Sequence, residues 1–345
     1  MIYNSIMDYK IIENDRWKRL RSETVNYDFN KKNGFMVTYG RTLEENVAYS
    51  PFGPFIADIE IGTSCTQGCK FCYKDNKVSG ETMSLETFKA IFHRLPRVLT
   101  QIAVGLGDIE SCTSLFDIMN YCRNNDYNYV IPNITVNKCI EEQAKKLSAV
   151  CGAVAVSCYD YDTCFNSVQM LTNHMKFINI HQVVCEETYD KCFKLIDAFK
   201  TDPRLKKLNA IVFLMLKPKG RGITFKLLPL NKYKKIVDYA LERKINIGFD
   251  SCSAFTFLKT VDDPKQYEDF VEECESSRFS LYINVQGKYH HCSFAENGNQ
   301  GLDVANCTDF LKDIWYNDNV VKFRNKALEN VNNKISCQLY DLNIK

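Results

Sequence analysis

The sequence has no apolar run that approaches the ~18 residues needed to cross a bilayer. Its opening stretch, Met1 to Leu20, is polar and charged and lacks the apolar core of a secretory signal. These absences predict a protein that neither spans a membrane nor is secreted. A dominant charge is missing too: 44 basic side chains face 42 acidic ones, a net charge of +2. A balance so close to zero gives no electrostatic footprint for a nucleic-acid backbone, so nucleic acid is not an expected partner. At 345 residues the chain is long enough to bury a large core, and one large α/β domain with a smaller appendage suits it better than two equal domains.

Cysteine is abundant, although none occurs before residue 55. Sixteen cysteines without a secretory signal predict a reducing, cytoplasmic compartment and metal thiolates in place of a disulfide framework. Seven of them, Cys122, Cys139, Cys151, Cys158, Cys164, Cys185 and Cys192, lie in apolar-periodic helices or beside strands, where a free thiol acts as a small hydrophobe. Cys65, Cys69 and Cys72 are different. They share one short loop at C-x3-C-x2-C spacing, directly after the apolar, β-prone run from Phe55 to Ile61. Three thiolates with no fourth protein ligand nearby suit an iron–sulfur cluster that keeps one iron open better than a closed tetrahedral zinc site. Half of a zinc knuckle, or chance clustering, is the alternative, with a non-catalytic zinc or nucleic-acid-binding module as its functional counterpart.

Along the chain, Asn26 to Asn30 and Phe35 to Tyr39 alternate in β-prone residues across Lys31-Lys32-Asn33-Gly34, and the Asn-Gly pair signals a hairpin. We expect this N-terminal extension, residues 1–54, to lie against the main domain near an entrance. Strand and helix then alternate from 55 to 250. Strands are predicted at Phe55–Ile61, Gln101–Val104, Tyr127–Val136, Ala153–Ser157, Phe177–Val184 and Ala210–Leu216. Ser84 caps a helix in which Leu85, Phe88, Ile91, Phe92 and Leu95 recur at helical spacing, and Tyr233, Ile236, Val237, Ala240 and Leu241 mark another after the sixth strand. Six such units with right-handed crossovers predict an α/β fold, a partial (β/α)6 barrel, with functional loops at the C-terminal ends of its strands. Beyond Asp250 the alternation stops, which disfavours a full eight-stranded barrel. Residues 251–345 read as a small α+β domain, with Phe279 to Val285 and Lys288 to Cys292 forming a hairpin around Gln286-Gly287.

The cysteine loop, with Phe71 before its last cysteine, resembles the cluster loop of the radical S-adenosylmethionine (radical SAM) superfamily. The resemblance implies a 4Fe-4S cluster on Cys65, Cys69 and Cys72, whose open iron is chelated by S-adenosylmethionine. Gly105-Leu-Gly107-Asp108-Ile109-Glu110 is similar to the family's Gly-Gly-Glu-Pro segment, which binds the methionyl amine. Asp108 stands for the usual Glu, and Glu110 is a possible substitute. Asn137, and Ser157 ending the fourth strand, match further cofactor-contacting positions, and Lys217 to Gly222 resembles a Pro-x-Gly-Arg turn of members with an extra cluster domain. Cys274-x12-Gly287-x4-Cys292, with the Asp309–Trp315 and Phe323-Arg324 run, looks like a SPASM/Twitch domain, which binds auxiliary iron–sulfur clusters. Only Cys337 remains near the end of the chain. This leaves one second 4Fe-4S cluster on Cys274, Cys292 and Cys337, completed by Cys252, by Cys307 or by an open iron. At most one of His290 and His291 can face that cluster if the strand is regular.

The resemblance implies an enzyme that reductively cleaves S-adenosylmethionine to a 5′-deoxyadenosyl radical and abstracts hydrogen from its substrate. An oxidative modification of a peptide or protein is the first expectation, and dehydrogenation or epimerisation of a small molecule the second. An electron donor such as flavodoxin or ferredoxin is an implied partner. No catalytic acid or base is identifiable.

Overall fold

The computed structural model describes residues 8–268, 270–296 and 300–340. Four antiparallel strands come first: β1 (Tyr9–Glu13), β2 (Trp17–Ser22), β3 (Asn26–Asn30) and β4 (Met36–Tyr39), paired in chain order. The expected hairpin is β3–β4, with Asp28 opposite Val37 and Gly34 in the turn at φ +74°. β1 and β2 are hidden in the sequence because apolar Ile12 faces outward and charged Lys18 faces inward, which breaks the alternation. Lys18 and Leu20, both fully buried, are the inward positions of β2.

This sheet lies against the barrel, as expected, but not near an entrance. It packs on the N-terminal ends of the barrel strands, where Leu20, Tyr27 and Phe29 form one apolar cluster with Phe52, Phe55, Val98 and Ile131. The Lys18 ammonium donates to Leu99 O at 2.6 Å, Asn128 Oδ1 at 2.5 Å and Tyr129 O at 3.4 Å, and Tyr27 Oη donates to Val98 O at 3.0 Å. The base of the barrel is thereby plugged.

The barrel alternates β5 (Ile56–Glu60), α1 (Leu85–Phe92), β6 (Gln101–Gly105), α2 (Leu115–Arg123), β7 (Ile131–Val136), α3 (Glu141–Val150), β8 (Val154–Ser157), α4 (Tyr161–Thr172), β9 (Ile178–Val184), α5 (Tyr189–Thr201), β10 (Ala210–Met215), α6 (Leu230–Glu242) and β11 (Ile247–Phe249). The strands lie parallel in the order β11-β10-β9-β8-β7-β6-β5. A seventh parallel strand therefore adds to the six expected; β11 is three residues long, too short to carry a period. Outward positions such as Ile59, Ile102, Val156, Ile180 and Ile211 are fully or almost fully buried beneath the helices. Inward positions include Asp58, Gln101, Asn133, Thr135, Asn179 and His181, so the barrel interior is polar and reached by water. In α1, Ser84 Oγ accepts from Thr87 N at 3.1 Å, an N-cap worth ~1 kcal/mol, and Phe88, Ile91 and Phe92 face the core.

After α7 (Ala254–Leu258) and α8 (Lys265–Glu268), β12 (Ser280–Ile283) returns to pair parallel with β5. β13 (Lys288–His290) and β14 (Leu302–Asp303) then extend the same sheet antiparallel. The result is a ten-stranded sheet running from β11 to β14 that does not close on itself. The Asp309–Trp315 run forms a helical turn, Leu311–Trp315, followed by α9 (Asp318–Asn332). Buried Arg324 joins them, donating to Ser277 O at 2.5 Å and Trp315 O at 2.8 Å, with its guanidinium 4.5 Å from the Trp315 ring. Among the described residues no helix is long and apolar enough to cross a membrane.

Candidate metal centres

The cysteine loop leaves β5 at the C-terminal end of the sheet and folds back on itself. Cys65 N donates to Lys77 O at 2.9 Å, Thr63 N to Glu81 O at 2.9 Å and Met83 N to Ile61 O at 2.8 Å. Two glycines make its close packing possible. A Cβ on Gly80 would stand 2.2 Å from Ser64 N, and one on Gly107 would stand 2.1 Å from Ser64 O and 2.6 Å from Cys65 Cβ. The glycine turn after β6 is thus pressed flat against the first cysteine.

Asp108 is 4% exposed and braces that contact: Oδ2 accepts from Thr66 N at 2.6 Å and Thr66 Oγ1 at 3.0 Å, and Oδ1 from Ser111 N at 2.8 Å. Burial alone would raise its carboxyl, but these hydrogen bonds outweigh burial and hold it below the usual carboxylate range. Asn137 Nδ2 donates to Gly107 O at 2.9 Å. Glu110 points outward and pairs with Lys138 at 3.3 Å. Phe71 packs on Tyr159 and Phe225, at 5.3 and 5.7 Å between ring centroids, and Tyr159, whose N–H donates to Ser157 O at 3.2 Å, also bonds the Cys69 thiol. Gly107, Asp108 and Asn137 therefore gather at Cys65, and Phe71, Ser157 and Tyr159 at Cys69. Burial raises the thiols of both cysteines, and each also feels neighbouring thiols of the triplet.

The turn after β10 holds the loop from behind. Arg221 N donates to Cys72 O at 3.0 Å, Arg221 Nε to Cys69 O at 2.8 Å, and its guanidinium pairs with Asp75 at 2.8 Å. Gly220, at φ +57°, lies so close that a Cβ would stand 2.5 Å from Tyr73 O. The sequence reading singled out this turn without finding what Arg221 does, since its partners lie 145 to 152 residues away.

Of the C-terminal cysteines, Cys252, Cys274, Cys292 and Cys337 come together, and all four act on the ammonium of Lys217. Cys307 stands apart, facing Arg94, Asp303, Asp309 and Asp313. The Cys252 thiol donates to Cys337, whose own thiol falls to about 6, first through that bond and then through the N–H groups of Leu339 and Tyr340, against the effect of burial. Burial pushes Cys292 up to about 12. Beside Cys337, both amide atoms of Gln338 are buried with no hydrogen-bond partner. Four soft donors fit a thiolate-held iron–sulfur group. Among the described residues no three His, Cys, Asp or Glu side chains converge as ligands of a single ion do; the thiolates of a cubane cluster bind separate irons and need not meet at one point. Of the two histidines, His291 turns away, stacking on Phe323 at 3.8 Å, while His290 faces Glu296, Lys74 and Lys219.

The two cysteine sets meet through a buried seam. Tyr73, next to Cys72, packs on Phe294, two residues past Cys292, at 4.5 Å between ring centroids. Lys74 pairs with Glu60 at 3.0 Å and with Glu296, and donates to Tyr282 Oη at 2.7 Å. A cleft of about 470 Å³ runs beside this seam, lined by Glu60, Tyr73, Lys74, Lys219 and Glu296. A larger recess of about 910 Å³ between β13 and α9 contains none of the cysteines. Inside the barrel, Asp58 is reached by water yet surrounded by protein, which pushes its carboxyl up to about 6, and the same surroundings lower His181 to about 4. The seven cysteines expected to be structural are all at most 6% exposed.

An open parallel sheet with a three-cysteine loop after its first barrel strand is the fold of the radical SAM enzymes. SuiB from Streptococcus suis superposes with a TM-score of 0.65 at 13% identity, covering 90% of each chain; in its structure with the precursor peptide SuiA the TM-score is 0.64 over 88% of this chain and 90% of that one, also at 13% identity. anSMEcpe with bound AdoMet and Cp18Cys peptide superposes with a TM-score of 0.61 at 15% identity, over 80% of this chain and 84% of that one. No protein-family profile and no curated protein sequence matches the chain.

Proposed function

We propose that this chain is a radical SAM enzyme that oxidatively modifies a peptide or protein. The observation that carries the reading is the rim itself. Cys65, Cys69 and Cys72 occupy one loop at the C-terminal end of the barrel, gripped between the Gly105–Asp108 turn and Arg221. When bound there, a 4Fe-4S cluster and S-adenosylmethionine supply reductive cleavage of the sulfonium and an organic radical that takes hydrogen from the substrate.

The chain's own residues do the positioning. Asp108, whose oxygens accept from Thr66 and Ser111, keeps a negative charge beside Cys65 for the methionyl ammonium. Gly105 and Gly107 keep the backbone flush with the loop, Asn137 fixes the Gly107 carbonyl, and Phe71, Ser157 and Tyr159 wall the side nearest Cys69 for the nucleoside. The polar interior from Asp58 to His181 takes the substrate, and the N-terminal sheet covers its base. Cys252, Cys274, Cys292 and Cys337 would hold a second 4Fe-4S cluster, in the SPASM/Twitch manner, which would supply an acceptor for the electron left on the substrate. A flavodoxin or ferredoxin supplies the electron that starts the reaction. A peptide substrate is supported by the peptides bound in the structures of SuiB and anSMEcpe.

The test is incubation of anaerobically reconstituted, reduced protein with S-adenosylmethionine. 5′-Deoxyadenosine is expected from the wild type and not from Cys72→Ala; equal amounts from the two refute the reading. Iron and sulfide analysis should give about eight irons, falling to about four in the Cys65→Ala/Cys69→Ala/Cys72→Ala variant.

A further inference from the structure

Lys217, 4% exposed, acts on all four C-terminal thiols. It occupies the first position after Leu216, where β10 runs into the turn that carries Arg221. Its ammonium lies 5.2 Å from the Phe294 ring and pairs with Asp250, whose carboxylate also accepts from Ser253 Oγ at 2.6 Å. Asp250 precedes Cys252 by two residues, so the ion pair is built into the chain that delivers that thiol. Two other nearby charges, Arg278 and Glu275, bear on Cys274. A lysine buried in this way needs a partner for its charge, and Asp250 provides one.

We propose that the Lys217–Asp250 pair sets the reduction potential of the C-terminal site, with Lys217 stabilising the more negative, reduced state and Asp250 opposing it. This rests on the reading that the four cysteines hold a 4Fe-4S cluster. Four thiolates around an iron–sulfur core leave a net negative charge. One-electron reduction adds a further negative charge without making or breaking a bond. A buried ammonium nearby favours that addition, because the interior screens it far less than water does. A buried carboxylate at the same place disfavours it.

The same turn reaches the other site. Arg221 bonds the carbonyls of Cys69 and Cys72, and Lys219 donates to Phe294 O at 3.0 Å and Glu296 O at 2.8 Å. One short segment thus fixes the N-terminal loop and places the charge at the C-terminal set.

The experiment is a dithionite titration, with redox mediators and detection by electron paramagnetic resonance, of the full chain carrying Cys65→Ala/Cys69→Ala/Cys72→Ala, so that only the C-terminal site is read. Lys217→Met is expected to lower the reduction equilibrium constant at least tenfold, a shift of about 59 mV to more negative potential for one electron. Asp250→Asn is expected to shift it the opposite way, and Lys217→Arg to restore the starting value. Shifts of the same sign, or none, in variants with unchanged iron content overturn the proposal and leave the cluster reading standing. No iron in the triple variant overturns both. Should Lys217→Met lose its iron, Asp250→Asn decides: an unchanged or more negative potential refutes the proposal.

Discussion

Gly107→Ala adds a single methyl group, and the structure assigns it a large effect. Its Cβ would fall 2.1 Å from Ser64 O, 2.6 Å from Cys65 Cβ and 2.8 Å from Ser64 C. Two of these atoms are backbone, so no rotamer change relieves the clash. Gly107 is not among the positive-φ glycines, so space alone forbids a side chain. To accommodate the methyl, either the turn after β6 must lift, breaking the 3.0 Å bond from Gly107 N to Gly62 O, or the first cysteine must move. Overpacking of this kind costs roughly 3 kcal/mol, the upper end of the usual range. Gly62→Ala is the internal control. It lies in the same loop, but its Cβ would meet Cys112 and Thr82 at an ordinary 3.7 Å, and the change should stay within about 1 kcal/mol. The assay is urea unfolding together with iron content after anaerobic reconstitution. Gly107→Ala should lose stability and the iron of the N-terminal site, and Gly62→Ala should keep both. Wild-type iron and stability in Gly107→Ala would refute the claim that the Gly105–Asp108 turn seats the cluster loop.

Three further outcomes are expected. Lys18→Met removes the donor to Leu99 O, Asn128 Oδ1 and Tyr129 O at the fully buried base of the barrel, and should cost roughly 2–5 kcal/mol in denaturant unfolding. Asp58, with its carboxyl raised to about 6 in the folded state, binds a proton more tightly folded than unfolded. Its contribution is fully present below the unfolded value near ~4 and is lost as pH rises through about 6, so Asp58→Asn should flatten the denaturation midpoint across that window. An unchanged slope in the variant would count against the interior position of this carboxyl. Finally, Cys252→Ser should lower the iron content of the C-terminal site while Cys307→Ser leaves it unchanged; the reverse pattern would show that the four thiols are wrongly grouped.

Local pattern made most of the barrel readable. Alternation along β5 to β10 and the helical spacing in α1 and α6 depend on neighbours a few residues apart, and a single chain displays those. The cysteine spacing is equally local, since one loop sets it. β11 went unread because three residues cannot display a period, and β1 and β2 because Ile12 faces outward and Lys18 inward.

Which thiols share a site is not a local property. The choice of Cys252 over Cys307 depends on β12 pairing beside β5 and on α9 returning the chain end, and no spacing along the sequence encodes either. The role of Asp108 follows the same rule. As a rim carboxylate it is legible from its glycine turn, but the direction of its oxygens depends on Thr66, 42 residues away. Arg221 and Lys217 look like an ordinary basic turn until the fold places one behind the first cysteine set and the other within the second. The sequence by itself determined the chemistry available, namely thiols, glycines and a basic turn. Only tertiary packing decided which charges meet which thiols, because burial and Coulomb interaction depend on distance in space and not on distance along the chain.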